Sequence, residues 1–481
     1  MCYHRGMTSF WNTEQVAEIL RQKISGPSRE ITSITTDSRT ATPGCLFVAI
    51  QGDAFDGHDF IPQAIEKGAI AVLTERPLST PAPEVTVFQV PSTLNAARSL
   101  AHAYRKRFEI PFVAVVGAVG KTTTKELIAS LLLGKYEHVL KTEGSQNGFL
   151  GIPLTLLALK PETQIAVIEI GIDEIGAMDQ HLDLVEPTHA ILTAIGPEHL
   201  HQLKTVEIAA EEELKAFDYA LQEKLPIAIN LSDEFVSQWF QNHQFRLISD
   251  FFRTYSLHGS HNPQFLGEYR PEKAELIVRT NEWTESFHLP LPGEHHAHNL
   301  LAAITTVSML GLTPSQMKAG LARFKTAYGR TEIHTIPLDG SEGKGEVRII
   351  GDHYNSNPTS AVAALKLLAQ ENPSGTTHAV LADMLELGDD EERFHRELAS
   401  SILSLSIGHV WLYGDRMRWL QDELKQRGYA HSRHFATHDE LIRALRPELH
   451  AGDRVLIKGS RGMKMESVLK ALLATSQRPK R

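Results

Sequence analysis

Residues 115–126 read VVGAVGKTTTKE, and this stretch decides the fold. An apolar run from Val113 to Val116 enters Gly117, Ala118, Val119, Gly120, Lys121, Thr122 and Thr123, and helix-forming residues follow at once. Gly120 lets the backbone come close to phosphate oxygens, and the start of the next helix aims unpaired N–H groups at them. Lys121 adds a point charge for β/γ-phosphates, and the Thr122 hydroxyl is a ligand for Mg²⁺. The spacing departs from the full GxxxxGK[ST] pattern, because Val115 stands where the first glycine belongs. A chance Gly-Lys-Thr turn is the competing reading, and the strand before and helix after weigh against it. A mononucleotide site alone does not choose between kinase, hydrolase and ligase.

Working outward, the chain divides into three blocks. Residues 1–108 hold a helical pattern (TEQVAEILRQKI), short β-rich runs (ITSITTDSR, GCLFVAIQG, AIAVLTE, VTVFQV) and a closing basic helix, STLNAARSLAHAYRKRF. Residues 109–327 contain the phosphate loop and further buried-strand runs (AVIEIG, HAILTAIG, PIAIN). A polar stretch near 233–290 reads as meandering β, and the helical HNLLAAITTVSMLG and MKAGLARF end the block. Residues 328–481 repeat strand-then-helix units: VRIIGDHY/SAVAALKLLAQ, HAVLADM/ERFHRELASSIL, HVWLYGD/RMRWLQDEL and RVLIKGS/MESVLKALL. That alternation predicts a doubly wound α/β domain.

The bulk numbers agree with a multidomain globular protein. A chain of 481 residues exceeds one hydrophobic core, and 42% hydrophobic with 22% charged residues excludes wholesale disorder. A formal charge of −10 leaves no general footprint for nucleic acid. Cys2 and Cys45 are the two cysteines, too few for a disulfide framework or a zinc site, which fits a reducing compartment. MCYHRGMTSF lacks a signal-peptide core, and no run nears the roughly 20 apolar residues of a membrane helix. A cytoplasmic protein without membrane partners is expected, starting at Met1 or at Met7.

Acidic and histidine side chains fall at strand ends, where parallel α/β sheets place their chemistry. Glu169 lies inside an apolar run; a core glutamate paired to Lys or Arg is one reading, and a metal ligand is the favoured one. His199 follows the strand HAILTAIG, though a lone histidine among 24 is more often a cap or surface residue. Glu211, Glu212 and Glu213 form either a solvated acidic helix face or a run with one member turned toward a metal.

TTDSR, GCLFVAIQGDAFDGHDF, GAVGKTTTKE, GIPLTLL, AVIEIG, IGPEHL, PLPGEHHAHNLLAA, GRTEI, YNSNPTS, LADMLELGDDEERFH and KGSRGMKME occur in this order. Together they resemble the Mur ligase family over nearly the whole chain, and YNSNP and ADMLELG point to its dipeptide-adding branch. The resemblance implies a three-domain α/β protein: a small UDP-sugar-binding domain, a central P-loop domain for ATP and a C-terminal Rossmann-like domain. It implies an ATP- and Mg²⁺-dependent ligase that activates a carboxylate as an acyl phosphate. Its small-molecule partners would be UDP-N-acetylmuramoyl-tripeptide and D-Ala-D-Ala, in peptidoglycan synthesis, with the chain acting as a monomer. By that likeness Ser38, Arg39, His58 and Asp59 face the UDP-sugar, and Gly117 to Thr123 cradle the phosphates. Thr122 and Glu169 hold one Mg²⁺ and His199 a second. Asn299 reads the adenine, Arg330 and Asp352 complete the ATP site, Asn147 contacts the peptide, and Tyr354, Asn355 and Asn357 meet the dipeptide. A hinge is expected near Ala327–Gly329.

The departures are specific. The family usually has a carbamoylated lysine fourteen residues beyond its histidine, and here that position is Glu213. A glutamate carries a carboxylate directly, so Glu213 is the expected replacement at the second metal, with Lys215 next. Asn147-Gly148, Asp173-Glu174 and His296 replace the usual Asn-Asn, Asn-His and Asn. Rival readings are a sister ligase adding one amino acid, a P-loop kinase or NTPase, and a nucleotide-binding module without catalysis.

Overall fold

The computed structural model describes residues 11–24, 28–52, 55–78, 82–243, 251–259, 261–340, 343–370 and 375–474. The two possible starts, Met1 and Met7, and Cys2 lie outside the described residues.

Besides a two-stranded antiparallel pair, Trp11–Asn12 with Glu30–Ile31, three larger sheets organise the described residues. The first has four parallel strands in the order Ile34–Thr35, Leu46–Val48, Ala71–Thr74, Thr86–Gln89. The second runs Thr284–His288, Glu275–Arg279, Phe265–Arg270, Phe252–Ser256, Ile227–Asn230, His189–Leu192, Phe112–Val116, Ile165–Glu169, Val139–Lys141. Its last two members in sequence, Glu275–Arg279 and Thr284–His288, pair antiparallel and the rest pair parallel. The third runs Glu332–Gly340, Gly343–Asp352, Arg454–Lys458, Thr377–Ala382, His409–Tyr413, Ser432–Phe435, and only Glu332–Gly340 is antiparallel.

In the central sheet the strand Phe112–Val116 has neighbours that follow it on either side, His189–Leu192 and Ile165–Glu169. The order reverses there, which opens a crevice at the carboxyl ends of these strands. All five residues of Phe112–Val116 are buried, as the unbroken apolar run requires for a strand covered on both faces. The stretch expected to meander does so from 265 to 288, but it also contains the helix Glu234–His243.

The helix Thr93–Arg105 welds the first two sheets into one core. Tyr104 and Leu100 pack in a cluster that includes Leu46, Leu73, Phe112 and Ile168. Arg105 donates to Val185 O (2.7 Å) and Glu186 O (2.7 Å), satisfying carbonyls at the end of the helix Ala177–Val185. The third sheet follows a linker, 322–331, in which Gly329 has φ +68°. The expected hinge coincides with this turn. Gly329 is fixed by its carbonyl, which accepts from Tyr354 N–H at 3.0 Å.

Candidate active site

The phosphate loop leaves the end of Phe112–Val116 and enters the helix Lys121–Leu132. Gly117 (φ +121°) and Gly120 (φ +88°) both take left-handed backbone conformations. A Cβ on Gly120 would lie 2.6 Å from Asn299 Oδ1, and one on Gly117 would overlap Thr193 Oγ1. The missing first glycine of the motif is therefore no defect, because the close approaches occur at 117 and 120. The helix begins without a side-chain cap, so its first N–H groups are left for an anion.

Lys121 and its neighbours are buried, and the protein's own groups hold their charge. The ammonium donates to Glu198 Oε2 (2.8 Å) and to Gly117 O. Burial works against its charge, but the Glu198 and Glu213 carboxylates outweigh that and raise its pKa. Thr122 Oγ1 donates to Glu169 Oε1 (3.0 Å), which also accepts from Asn147 Nδ2 (2.8 Å). Glu169 Oε2 is fully buried and makes no hydrogen bond, although Lys125 Nζ lies 3.5 Å away. A carboxylate oxygen without a hydrogen bond beside a threonine hydroxyl suits a divalent cation, while the Lys125 contact matches the reading of Glu169 as a core glutamate paired to lysine. Lys125 fixes its frame, donating to Thr142 O (2.8 Å) and Gly144 O (2.6 Å) of the segment that carries Ser145 and Asn147.

His199, in a left-handed backbone conformation (φ +52°), turns its ring toward the third domain, where Nδ1 lies 2.6 Å from Glu386 Oε2. Burial alone would lower its pKa, but the Glu386 and Glu198 carboxylates raise it. Arg330 Nη2 reaches Thr122 Oγ1 (3.3 Å), and its guanidinium lies 4.7 Å over the Tyr354 ring. A cavity of about 160 Å³ is walled by Lys121, Thr122, Asn147, Glu169, Glu198, His199, Arg330, Tyr354, Asn355 and Asn357. Within it the Asn357 carboxamide caps the next helix, Oδ1 accepting from Ser360 N–H at 2.9 Å.

Beside it lies a second cavity of about 330 Å³ against Gly120, Thr123, Asn299, Arg330, Asp352 and Lys458. Asp352 Oδ2 accepts from Lys458 Nζ at 2.6 Å, and Oδ1 from Thr331 N–H at 3.2 Å. Burial would raise the Asp352 pKa, and Lys458 more than reverses this and holds it below the usual carboxylate range. His296 is buried with Nε2 2.9 Å from Thr331 Oγ1, and burial pushes its pKa down.

Glu213 requires a correction. Its Oε2 accepts from Gly117 N–H at 2.7 Å beneath the loop, and it is not part of the cavity wall. A glutamate has two methylenes where a carbamoylated lysine has four and a nitrogen, so its carboxylate stops at the loop backbone. The pair expected at the second metal has other partners here, His199 meeting Glu386 Oε2 and Glu213 the Gly117 N–H. Lys215, the next candidate, pairs with Asp179 (2.7 Å) and Glu212 (2.8 Å). Of the acidic run only Glu211 is exposed, and Glu212 is buried and accepts from Gly176 N–H (2.8 Å) and Met178 N–H (3.2 Å).

Burial pushes the Glu213 carboxyl up to about 7, with Lys121 and the Gly117 N–H pulling the other way. A carboxyl whose folded pKa is raised from 4.5 binds more protons folded than unfolded, so stability falls as pH rises from about 4.5 to about 7. Glu213→Gln keeps an acceptor for Gly117 and removes that slope. Melting temperatures of the two proteins should agree near pH 4 and diverge by pH 8, the variant being the more stable by up to a few kcal/mol.

The first domain offers a cavity of about 590 Å³ lined by His58, Asp59, Thr74, Arg76 and Leu78 among others. His58 stiffens its wall: Nδ1 meets Asp56 Oδ1 (2.6 Å) and Nε2 accepts from Glu75 N–H (3.0 Å). Ser38 Oγ donates to Gln63 Oε1 (2.6 Å), and exposed Arg39 pairs with Asp37 (2.7 Å), so neither lines this cavity. Asp173 and Glu174 are exposed. Sequence reading missed Arg76, Lys125, Glu198, Glu386 and Lys458; for Glu198 the adjacent His199 was a usable signal.

Comparison with known proteins finds relatives over nearly the whole chain. Family models match in series: the Mur ligase family catalytic domain at residues 30–114, the middle domain at 115–307 and the glutamate ligase domain at 329–461. The chain belongs to the Mur ligase family. Among its relatives, a UDP-N-acetylmuramoyl-tripeptide–D-alanyl-D-alanine ligase of Bacillus subtilis is 33% identical over 96% of this chain and 98% of its own. The protein of that name from Escherichia coli is 32% identical over 95% and 97%. A crystal structure of MurF from Acinetobacter baumannii superposes with a TM-score of 0.84 at 26% identity, covering 96% and 99%. The fold is also that of a MurF ligase from Thermotoga maritima solved with ADP, with a TM-score of 0.75 at 24% identity, covering 91% and 96%.

Proposed function

We propose that this chain is the ATP-dependent ligase that joins D-Ala-D-Ala to UDP-N-acetylmuramoyl-tripeptide through an acyl phosphate. The observation that carries the reading is the convergence of central-domain groups (Lys121, Thr122, Glu169, His199) with third-domain groups (Arg330, Tyr354, Asn355, Asn357) on one cavity. A kinase or simple NTPase needs no such second wall for an amine. The near full-length likeness to proteins of that name supports the choice of substrates.

A free carboxylate is a poor electrophile, so the reaction begins with its activation. The tripeptide carboxylate attacks the γ-phosphorus of ATP, ADP leaves, and an acyl phosphate forms. The Lys121 ammonium exchanges Glu198 for phosphate oxygens, and Arg330, stacked on Tyr354, meets the charge from the opposite wall. Mg²⁺ held by Thr122 and Glu169, with a second ion at His199, would neutralise phosphate charge and align the acceptor carboxylate. The dipeptide amine, positioned by Asn355 and Asn357, then adds to the carbonyl carbon. The tetrahedral intermediate loses a proton and expels phosphate, leaving the amide. The third domain excludes water that would otherwise hydrolyse the acyl phosphate.

Asn299 and the cavity around it hold the nucleoside, Asn147 steers the peptide, and the first domain carries the UDP-sugar near Asp59 and Arg76. Glu213 holds the loop and balances Lys121. The chain works as a cytoplasmic monomer, and its product serves cell-wall biogenesis, cell shape and division. Among the described residues no helix is long and apolar enough to cross a membrane. The test is phosphate release by purified protein with UDP-tripeptide. Release should rise with D-Ala-D-Ala and stay near background with single amino acids; equal release with and without an amine would overturn the proposal.

A further inference from the structure

We propose that His258, Glu294 and His298 form a binding site for a transition-metal dication of the Zn²⁺ class, separate from the Thr122–Glu169 site. His258 follows the strand Phe252–Ser256, while Glu294 and His298 lie one turn apart on the helix Glu294–Met309. Residues four apart share a helix face, so two donors from this helix meet a third from the loop. One ligand atom from each lies within 4.8 Å of the others, the only such trio of His, Cys, Asp or Glu among the described residues.

His258 Nε2 is 2.9 Å from Glu294 Oε1, and the His258 and His298 ring centroids are 5.7 Å apart. Zinc bonds of about 2.0–2.1 Å in a tetrahedron need ligand atoms roughly 3.3 Å apart, within reach of side-chain rotation. Two imidazoles and one carboxylate suit Zn²⁺, whereas Mg²⁺ favours oxygen ligands. A surface ion pair in which Glu294 complements the helix N-terminus explains the His258 contact. His298 packs edge-to-face on the His258 ring, and both imidazoles line the cavity that contains Asn299, so the metal would share a wall with the proposed nucleoside site. Gly293 (φ +109°), donating its N–H to Tyr269 Oη at 3.1 Å, fixes the start of the helix that presents both donors.

The test is titration of the full chain with Co²⁺ in saturating Mg²⁺, followed by displacement with Zn²⁺. One equivalent should give the visible absorption of low-coordinate Co²⁺, abolished by Zn²⁺. His258→Ala and His298→Ala should each weaken binding at least about tenfold, since even outer-shell partners of a metal cost 10–100-fold. His138→Ala, at an exposed position elsewhere, should leave binding intact. Metal-free melting checks folding; if His298→Ala lowers it, His258→Ala in the exposed loop decides. Unchanged affinity and spectrum in His258→Ala, or no stoichiometric binding by the unaltered protein, would overturn the proposal.

Discussion

Replacing Lys121 by alanine is expected to lower kcat for ligation by about 10²–10³-fold, the usual effect of deleting one preorganised charge at a transferring group. The ammonium is buried between Glu198 and Glu213. Its loss removes the cation that meets the phosphates and leaves the Glu198 carboxylate on the cavity wall facing the incoming anion, with Glu213 beneath the loop. ATP affinity should therefore fall together with kcat. Lys121→Arg should not restore the rate, because a planar fork does not replace a compact ammonium in a filled site. Steady-state kinetics with ATP as the varied substrate, alongside unchanged binding of UDP-tripeptide, checks this.

The second large effect concerns stability. Lys458 is 2% exposed and is bonded to Asp352 Oδ2 (2.6 Å) and Asn355 O (3.0 Å). Lys458→Met strands the Asp352 carboxylate and should cost about 3–5 kcal/mol. For a domain of this size that corresponds to a drop on the order of 10 °C in the melting of the C-terminal unit. Pairing it with Asp352→Asn should recover much of the loss, because replacing both partners is far cheaper than orphaning one. The sign with pH follows. Asp352 has a folded pKa below its ordinary 3.8, so the pair's contribution is present at neutral pH and lost as pH falls below about 4.

How much of this was legible in the sequence depends on how local the information is. The phosphate loop, the buried strands of the central sheet and the strand–helix units of the third domain are encoded by short-range periodicity. The antiparallel strand Glu332–Gly340 was not read, since EIHTIPLDG mixes polar residues with Pro337. A proline is tolerated there because the strand forms an edge. Site residues on the loop or at strand ends were found for the same local reasons. Glu198, Glu386 and Lys458 were missed because their partners Lys121, His199 and Asp352 lie far away in sequence.

Glu213 shows what finer reading could have supplied. It shares a stripe with Ala209, Ala216, Phe217 and Ala220, all buried, which places it inside the helix face rather than on a solvated one. The stripe predicts burial; only the fold reveals that the carboxylate ends at Gly117 N–H. The same limit applies to the trio at His258, where 24 histidines in the sequence conceal the one pair that the fold brings to Glu294.

The central claim is that ATP bound at the turn after Val116 turns a substrate carboxylate into an acyl phosphate that an amine captures. Its most direct test uses UDP-tripeptide labelled with ¹⁸O in the acceptor carboxylate, with mass analysis of the phosphate released during ligation. Transfer of one labelled oxygen to each phosphate is predicted. Unlabelled phosphate accompanied by full amide formation would contradict the account.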